Sequence, residues 1–281
     1  MFLIENKLLT RIDGALGRVQ CLSGNQLKLI AALCMLIDHV TKVFYESLAF
    51  RVINPGLQAG LFTLESLQPV HLIYDLLCGI GAIAFPVFAF AFVEGFQHTR
   101  SKARYLGRLT LFALLSELPF DMTFFYGYSR GKPIWPWYPW HQNVFFTFAL
   151  ALCALWLMEA IQKLPSKPLS ILLQALTVAG VCFLAEEVIR CDYGGFGVFL
   201  MIAAWLLRKN RTLQVLGMLL AKLLIDPYYE LPSIFFSLVL ILLYNGKRGK
   251  RNLKQFFYGF YPFHIAVIGL LNWLIFYVFW K

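Results

Sequence analysis

Apolar stretches of about twenty residues, separated by short polar loops, recur along the chain from residue 27 onward. At a helical rise of about 1.5 Å per residue, that length matches a bilayer hydrocarbon core roughly 30 Å thick. The long runs fall at 27–46, 76–96, 105–125, 143–162, 169–189 and 256–280, with shorter ones at 194–207, 213–225 and 231–244. Gly79, Gly81 and Pro86 lie inside the second run, where neighbouring helices must satisfy the freed backbone groups. The loop at 47–75 is long enough to hold a short helix, and the YPFH sequence at 261–264 reads as a turn opening the last run. Residues 127–142, rich in aromatics and proline, suit the headgroup level of a membrane. Ahead of all these, Phe2, Leu8, Ile12, Leu16 and Val19 recur at helical spacing with Lys7, Arg11 and Arg18 between them. That pattern predicts an amphipathic segment at 1–24 lying on an anionic membrane surface, with no cleavable signal peptide.

Loop charges set the expected topology. One set of loops carries Arg100, Lys102 and Arg104, then Lys163 and Lys167, then Arg208, Lys209 and Arg211, then the cluster from Lys247 to Lys254. The intervening loops carry Arg51, Arg130 with Lys132, and Arg190, and there is no Lys or Arg between Asp226 and Leu231. The alternation is clean only if all three short runs cross, which gives about nine spans, in a range of eight to ten, with a cytoplasmic amino terminus. The expected fold is all-α and polytopic: an interfacial segment at 1–24 and a single transmembrane domain at 25–281.

Composition supports this and narrows the function. The chain is 59% hydrophobic and 14% charged, and its mean hydropathy is +0.67, which excludes an ordinary soluble globular protein. A net charge of +10 would suit nucleic acid, but here the basic residues are spread over loops as topology signals, so no nucleic-acid partner is expected. Cys34, Cys78, Cys153 and Cys182 lie in apolar runs, Cys21 and Cys191 lie near run ends, and no metal-ligand spacing occurs; neither disulfide nor bound metal is expected.

Against this apolar background Asp38 and His39 stand side by side near the middle of the first run. An ionisable group at that depth costs roughly 2.5–3.5 kcal/mol on insertion scales. The pair is either a reaction or transport centre, or polar glue between helices. Asp38 can pair with Lys42 one turn on, whereas adjacent side chains on a helix point about 100° apart. A carboxylate that orients His39 must therefore come from another helix, and Glu117 and Asp121 in the third run are the candidates. Glu186, Glu187 and Asp192 gather at the outer end of the fifth run. Lys28, Glu94, His98, Arg108, His264 and the loop at 246–251 fall on the cytoplasmic side.

The runs KLIAALCMLIDH from Lys28, FPVFAFAFVEGFQHTR from Phe85, YLGRLTLFALLSELPFD from Tyr105, QNVFFTFALALCALW from Gln142, DYGGFGV from Asp192, LLYNGKRG from Leu242 and YPFH from Tyr261 together resemble the TraX family. The resemblance covers essentially the whole chain from Lys28 to the last run. It implies pilin N-acetylation as the family's namesake activity, and a relation to multi-span acyltransferases that use cytoplasmic coenzyme A thioesters. Carried over by motif, it puts weight on Asp38, His39, Glu94, Arg108, Glu117, Asp121, Asn143, Asp192, Tyr193 and Lys247.

The residue map suits that chemistry on its own terms. Acyl transfer needs a base near the attacking atom, and histidine titrates nearest neutral pH. It needs cations for the donor's phosphates, for which Arg108, Arg100, His98, Lys247 and Arg248 are the candidates. The reading is a multi-pass enzyme of the bacterial cytoplasmic membrane that moves acetyl from acetyl-CoA to an amine or hydroxyl on the outer side. His39 is its base, with Asp38, Glu117 and Asp121 in support and Gln142, Asn143, Asp192 and Tyr193 at the acceptor. The rivals are a proton-coupled small-solute transporter using the same acids as a relay, and a non-catalytic assembly factor for a pilus or surface protein.

Overall fold

A computed structural model describes residues 14–125, 138–225 and 231–279. Residues 1–13 of the expected amphipathic segment, residues 126–137 of the aromatic turn, and residues 226–230 lie outside the described residues.

Helix α1 (Gly24–Leu48) opens with a reciprocal cap. The Ser23 hydroxyl accepts from the Gln26 N–H, and the Gln26 side chain accepts from the Ser23 N–H at 2.9 Å. A π-helical turn (Ala49–Ile53) leads into the short α2 (Asn54–Gln58), the helix anticipated in the first loop. Then follow α3 (Gln68–Gly81), α4 (Ala84–His98), α5 (Lys102–Phe124), α6 (Val144–Ile161) and α7 (Lys167–Phe183), which ends in a second π-helical turn (Leu184–Val188). The last helices are α8 (Gly194–Leu206), α9 (Arg211–Ile225), α10 (Leu231–Leu242) and α11 (Lys254–Trp273). Among the described residues extended pairing is limited to two isolated bridges, Leu22 with Tyr244 and Gln142 with Cys191.

The run read as one span at 76–96 falls within one stretch long and apolar enough to cross, Gln68–His98, where α3 passes into α4 through Ala82 and Ile83, both in right-handed helical backbone. Gly81, just before that junction, has a local reason. A Cβ on Gly81 would lie 2.3 Å from the Asp38 Cβ, so α3 approaches α1 this closely only with glycine there. One expectation from the sequence is corrected: YPFH is not a turn, because α11 runs through it with Pro262 inside the helix. The lost hydrogen bond is tolerable where packed neighbours surround the backbone.

The core forms where α4, α6 and α8 meet, around the fully buried Phe90, Phe96, Leu152, Leu155, Met201 and Trp205. Apolar side chains also cover the outside: Ile171, Leu172 and Leu176 on α7, and Leu216, Leu220 and Leu224 on α9, are all more than half exposed. So much apolar surface faces lipid more readily than water. By length and composition, four stretches among the described residues can cross a membrane: Gln68–His98, Val144–Ile161, Lys167–Val188 and Lys254–Phe276. α1 and α5 are not in that set, and their charged residues Lys28, Asp38 and Arg108 line the site.

Candidate functional site

A cavity of about 630 Å³ runs beside α1, bounded also by α4, α5, α6 and α11. Near the amino end of α1 its wall holds Lys28, Arg100, Arg108, Arg248 and Lys254. Fifteen residues along α1 from Gly24 it reaches Asp38 and His39, joined there by Asp192 and Tyr193. Aromatic side chains, among them Phe88, Phe148, Tyr258 and Tyr261, line the space between.

The cationic end is fixed largely by backbone hydrogen bonds. The first N–H groups of a helix have no intrahelical acceptor. In α1 they donate to the loop before α11: Gly24 N–H to the Lys247 carbonyl at 2.8 Å and Asn25 N–H to the Arg248 carbonyl at 3.0 Å. The Asn25 side-chain amide donates to the Arg251 carbonyl at 2.7 Å. Gly249, at φ +97°, takes a left-handed conformation with the Asn25 side chain against it, which again calls for glycine. Arg248 is thereby set at the cavity wall, with its guanidinium donating to Asn252. Lys28 Nζ lies 4.8 Å over the Phe257 ring, and Arg108 packs 5.7 Å from the Tyr105 ring with its Nε buried and unpartnered.

At the deeper end Asp38 is 7% exposed. Its Oδ2 accepts from Lys42 Nζ at 2.9 Å, as the spacing anticipated, while its Oδ1 has no hydrogen-bond partner. His39 does not meet Glu117 or Asp121. Its Nδ1 lies 2.8 Å from Nε2 of His264, the rings parallel to within 5°. The Nδ1 of His264 lies 2.7 Å from the Phe260 carbonyl. That carbonyl can only accept, so His264 carries its proton on Nδ1 and, when neutral, accepts at Nε2. A neutral His39 therefore donates from Nδ1 and keeps its lone pair on Nε2, a tautomer assigned from the network.

Asp192 and Tyr193 come from the turn before α8. The Asp192 N–H donates to the Gln142 carbonyl at 2.7 Å, and its carbonyl accepts from the Thr147 hydroxyl. Tyr193 sits at φ 61° and stacks on Phe85 with ring centroids 3.6 Å apart. A non-glycine residue in that conformation costs on the order of 1 kcal/mol or more, so the packing around it must hold it there.

The other sequence candidates form a separate group outside the cavity wall. Asn143 caps α6, its side-chain oxygen accepting from the Phe145 N–H at 3.1 Å. Its amide donates to the Ala113 carbonyl at 2.8 Å and to the Glu117 carboxylate. Asp121 Oδ2 accepts from the Tyr138 N–H at 2.6 Å, and the Gln142 side chain donates to the Pro139 carbonyl at 2.8 Å. These contacts tie the segment before α6 onto α5. His141 in that segment packs against Phe120, and burial holds its pKa below the ordinary value. Lys247 contributes its carbonyl to α1 rather than its side chain to the cavity, whereas His98 is on the wall with Nδ1 2.8 Å from the Glu94 carbonyl.

Sequence reasoning missed His264 as a partner of His39, together with Lys254, Tyr258 and Tyr261. The signal was present: Phe260 and His264 are one helical turn apart, but reading YPFH as a turn hid that spacing.

A profile described as TraX protein matches residues 23–272, from the cap of α1 to the last turn of α11. A curated relative, the probable fimbrial assembly protein FimC, serogroup H1, of Dichelobacter nodosus, is 28% identical over 262 residues, covering 88% of this chain and 94% of its own. No solved structure matches the chain. With the matched region enclosing the entire cavity wall and both buried polar groups, the chain belongs to the TraX family.

Proposed function

We propose that this chain is a membrane-embedded acetyltransferase of about nine spans with its amino terminus in the cytoplasm. On this reading it moves acetyl from cytoplasmic acetyl-CoA to an amine or hydroxyl on the outer side of a bacterial cytoplasmic membrane. The observation that carries the proposal is that one cavity joins a cationic mouth to His39 and Asp38.

The residues fit such a donor. Arg100, Arg108, Arg248 and Lys254 gather at the mouth, and the unpartnered Arg108 Nε offers a donor to phosphate. From Lys28 to His39 is about 16 Å by helical rise, a span suited to a long, flexible pantetheine arm. When bound, acetyl-CoA supplies an acetyl carbon activated as a thioester. His39 Nε2 takes the proton from the attacking N–H or O–H as the new bond to that carbon forms and the C–S bond breaks. His39 then returns a proton to the departing sulfur, so the imidazole is regenerated and free coenzyme A leaves. His264 holds His39 in the reactive tautomer, and Asp38 Oδ1 accepts a hydrogen bond from the acceptor. The acceptor class includes the amino terminus of a pilin-like protein, which the naming of the Dichelobacter relative as a probable fimbrial assembly protein supports.

The test uses purified protein, labelled acetyl-CoA and a pilin-like peptide. Loss of transfer in His39→Ala with coenzyme A binding intact is the expected result, and near-normal transfer sinks the assignment of base. That same name favours a second reading, a non-catalytic assembly factor. It expects His39→Ala to leave pilus formation unchanged and coenzyme A binding absent from the start.

A further inference from the structure

A second cavity, of about 330 Å³, lies beside the first at the turn joining α8 to α9, and Tyr244 and Gly246 are common to both. Its wall carries Arg208, Lys209 and Arg211, with the amide side chains of Gln20 and Asn245. We propose that it is a phosphate-binding site, taking the phosphate of an anionic lipid headgroup or of a soluble phosphate compound.

The two arginines are preorganised. The Arg208 guanidinium packs 4.2 Å over the Trp205 ring, and its Nη1 donates to the Trp205 carbonyl at 2.7 Å. That of Arg211 lies 4.4 Å from the Phe90 ring and 5.3 Å from the Tyr244 ring, with Nη1 donating to the Gln214 side chain at 2.9 Å. A guanidinium already held on an aromatic face loses little further freedom when it binds an anion, and its planar fork matches phosphate oxygens. The residues lining this cavity include no carboxylate beside these three cations, and Glu94 lies 3.7 Å from Arg211 Nη2. The site therefore keeps an excess of positive charge. Gln20 and Asn245 add neutral N–H donors, the complement an anion with several oxygens needs.

Its position brings it within reach of lipid. Leu206, 48% exposed, precedes the cationic turn, and Leu216, 51% exposed, follows it on α9. A charged pocket flanked by exposed apolar side chains at helix ends lies where phosphate headgroups meet acyl chains. The site does not depend on the acyl-donor reading, and its test does not use acetyl transfer.

Delipidated protein in detergent is titrated with phosphatidylglycerol or phosphatidylcholine by native mass spectrometry, and with inorganic pyrophosphate by thermal unfolding. Phosphatidylglycerol is expected to bind at least about tenfold more tightly than phosphatidylcholine. The R208Q/K209Q double variant is expected to lose that preference, while Lys163→Gln, in an exposed loop elsewhere, keeps it. The exposed Lys209→Gln alone, which removes no packing, is expected to weaken binding in the same direction. Stabilisation by pyrophosphate that displaces lipid and vanishes in the double variant assigns the site to soluble phosphate instead. Equal binding by wild type and a double variant of unchanged thermal stability overturns the proposal, as does failure of both ligands to bind.

Discussion

Two groups of polar residues sit inside this bundle, and they differ in what they face. Asp38, His39 and Asp192 line a cavity that continues to a cluster of cations, and His39 is held by another titratable ring. Glu117, Asp121 and Asn143 are buried as Asp38 is, but lie off the cavity, engaged with one another or with main-chain atoms. In both, a carboxylate oxygen is left without a partner. Depth in an apolar segment therefore does not distinguish the two groups. Access does: the first can meet a ligand, whereas the second closes a loop onto a helix.

Substitutions should separate the groups sharply. The largest effect is expected at His39, where Ala lowers transfer by about 10²–10⁴-fold, the usual contribution of a general base. Glu117→Gln should stay within about tenfold of wild type, so equal losses at the two positions in the labelled acetyl-CoA assay would erase the distinction. Asn143→Ala should reverse the pattern, lowering stability by about 1–3 kcal/mol through the lost cap and stranded Glu117. Its transfer rate per folded molecule should be kept, and thermal unfolding in detergent read beside activity checks both. Arg108→Gln is expected to raise the donor KM about tenfold with kcat little changed, since a phosphate contact at the mouth acts on ground and transition states alike. The smallest effect belongs to His264. Gln there, which can still accept a hydrogen bond from His39, should lower kcat only about threefold, and Ala should lower it more. Indistinguishable Gln and Ala variants would remove His264 from the positioning of His39.

Much of the first group could be read before any coordinates. Two ionisable residues in mid-helix, the i, i+4 pairing of Asp38 with Lys42, and the loop cations all follow from spacing and hydropathy. The partner of His39 could not be read this way. His264 is 225 positions away, in a helix whose proline resembled a turn signal. The choice of Glu117 or Asp121 followed the ordinary preference of histidine for carboxylate, and packing of α11 against α1 overrode it. Asn143 illustrates the same limit, because an asparagine opening a helix serves equally as a cap or a substrate ligand until its neighbours are known.

Local composition alone determined that this chain is helical and apolar, where most of its helices lie, and which residues are too polar for their surroundings. Those features depend on contacts between near neighbours and on transfer from water, both set residue by residue. Only the tertiary structure decided which of those polar residues share a cavity, how closely α3 approaches α1, and which ring holds His39. Each of these depends on two distant segments approaching within hydrogen-bond reach, and at Gly81 that approach is possible only because the side chain is a single hydrogen.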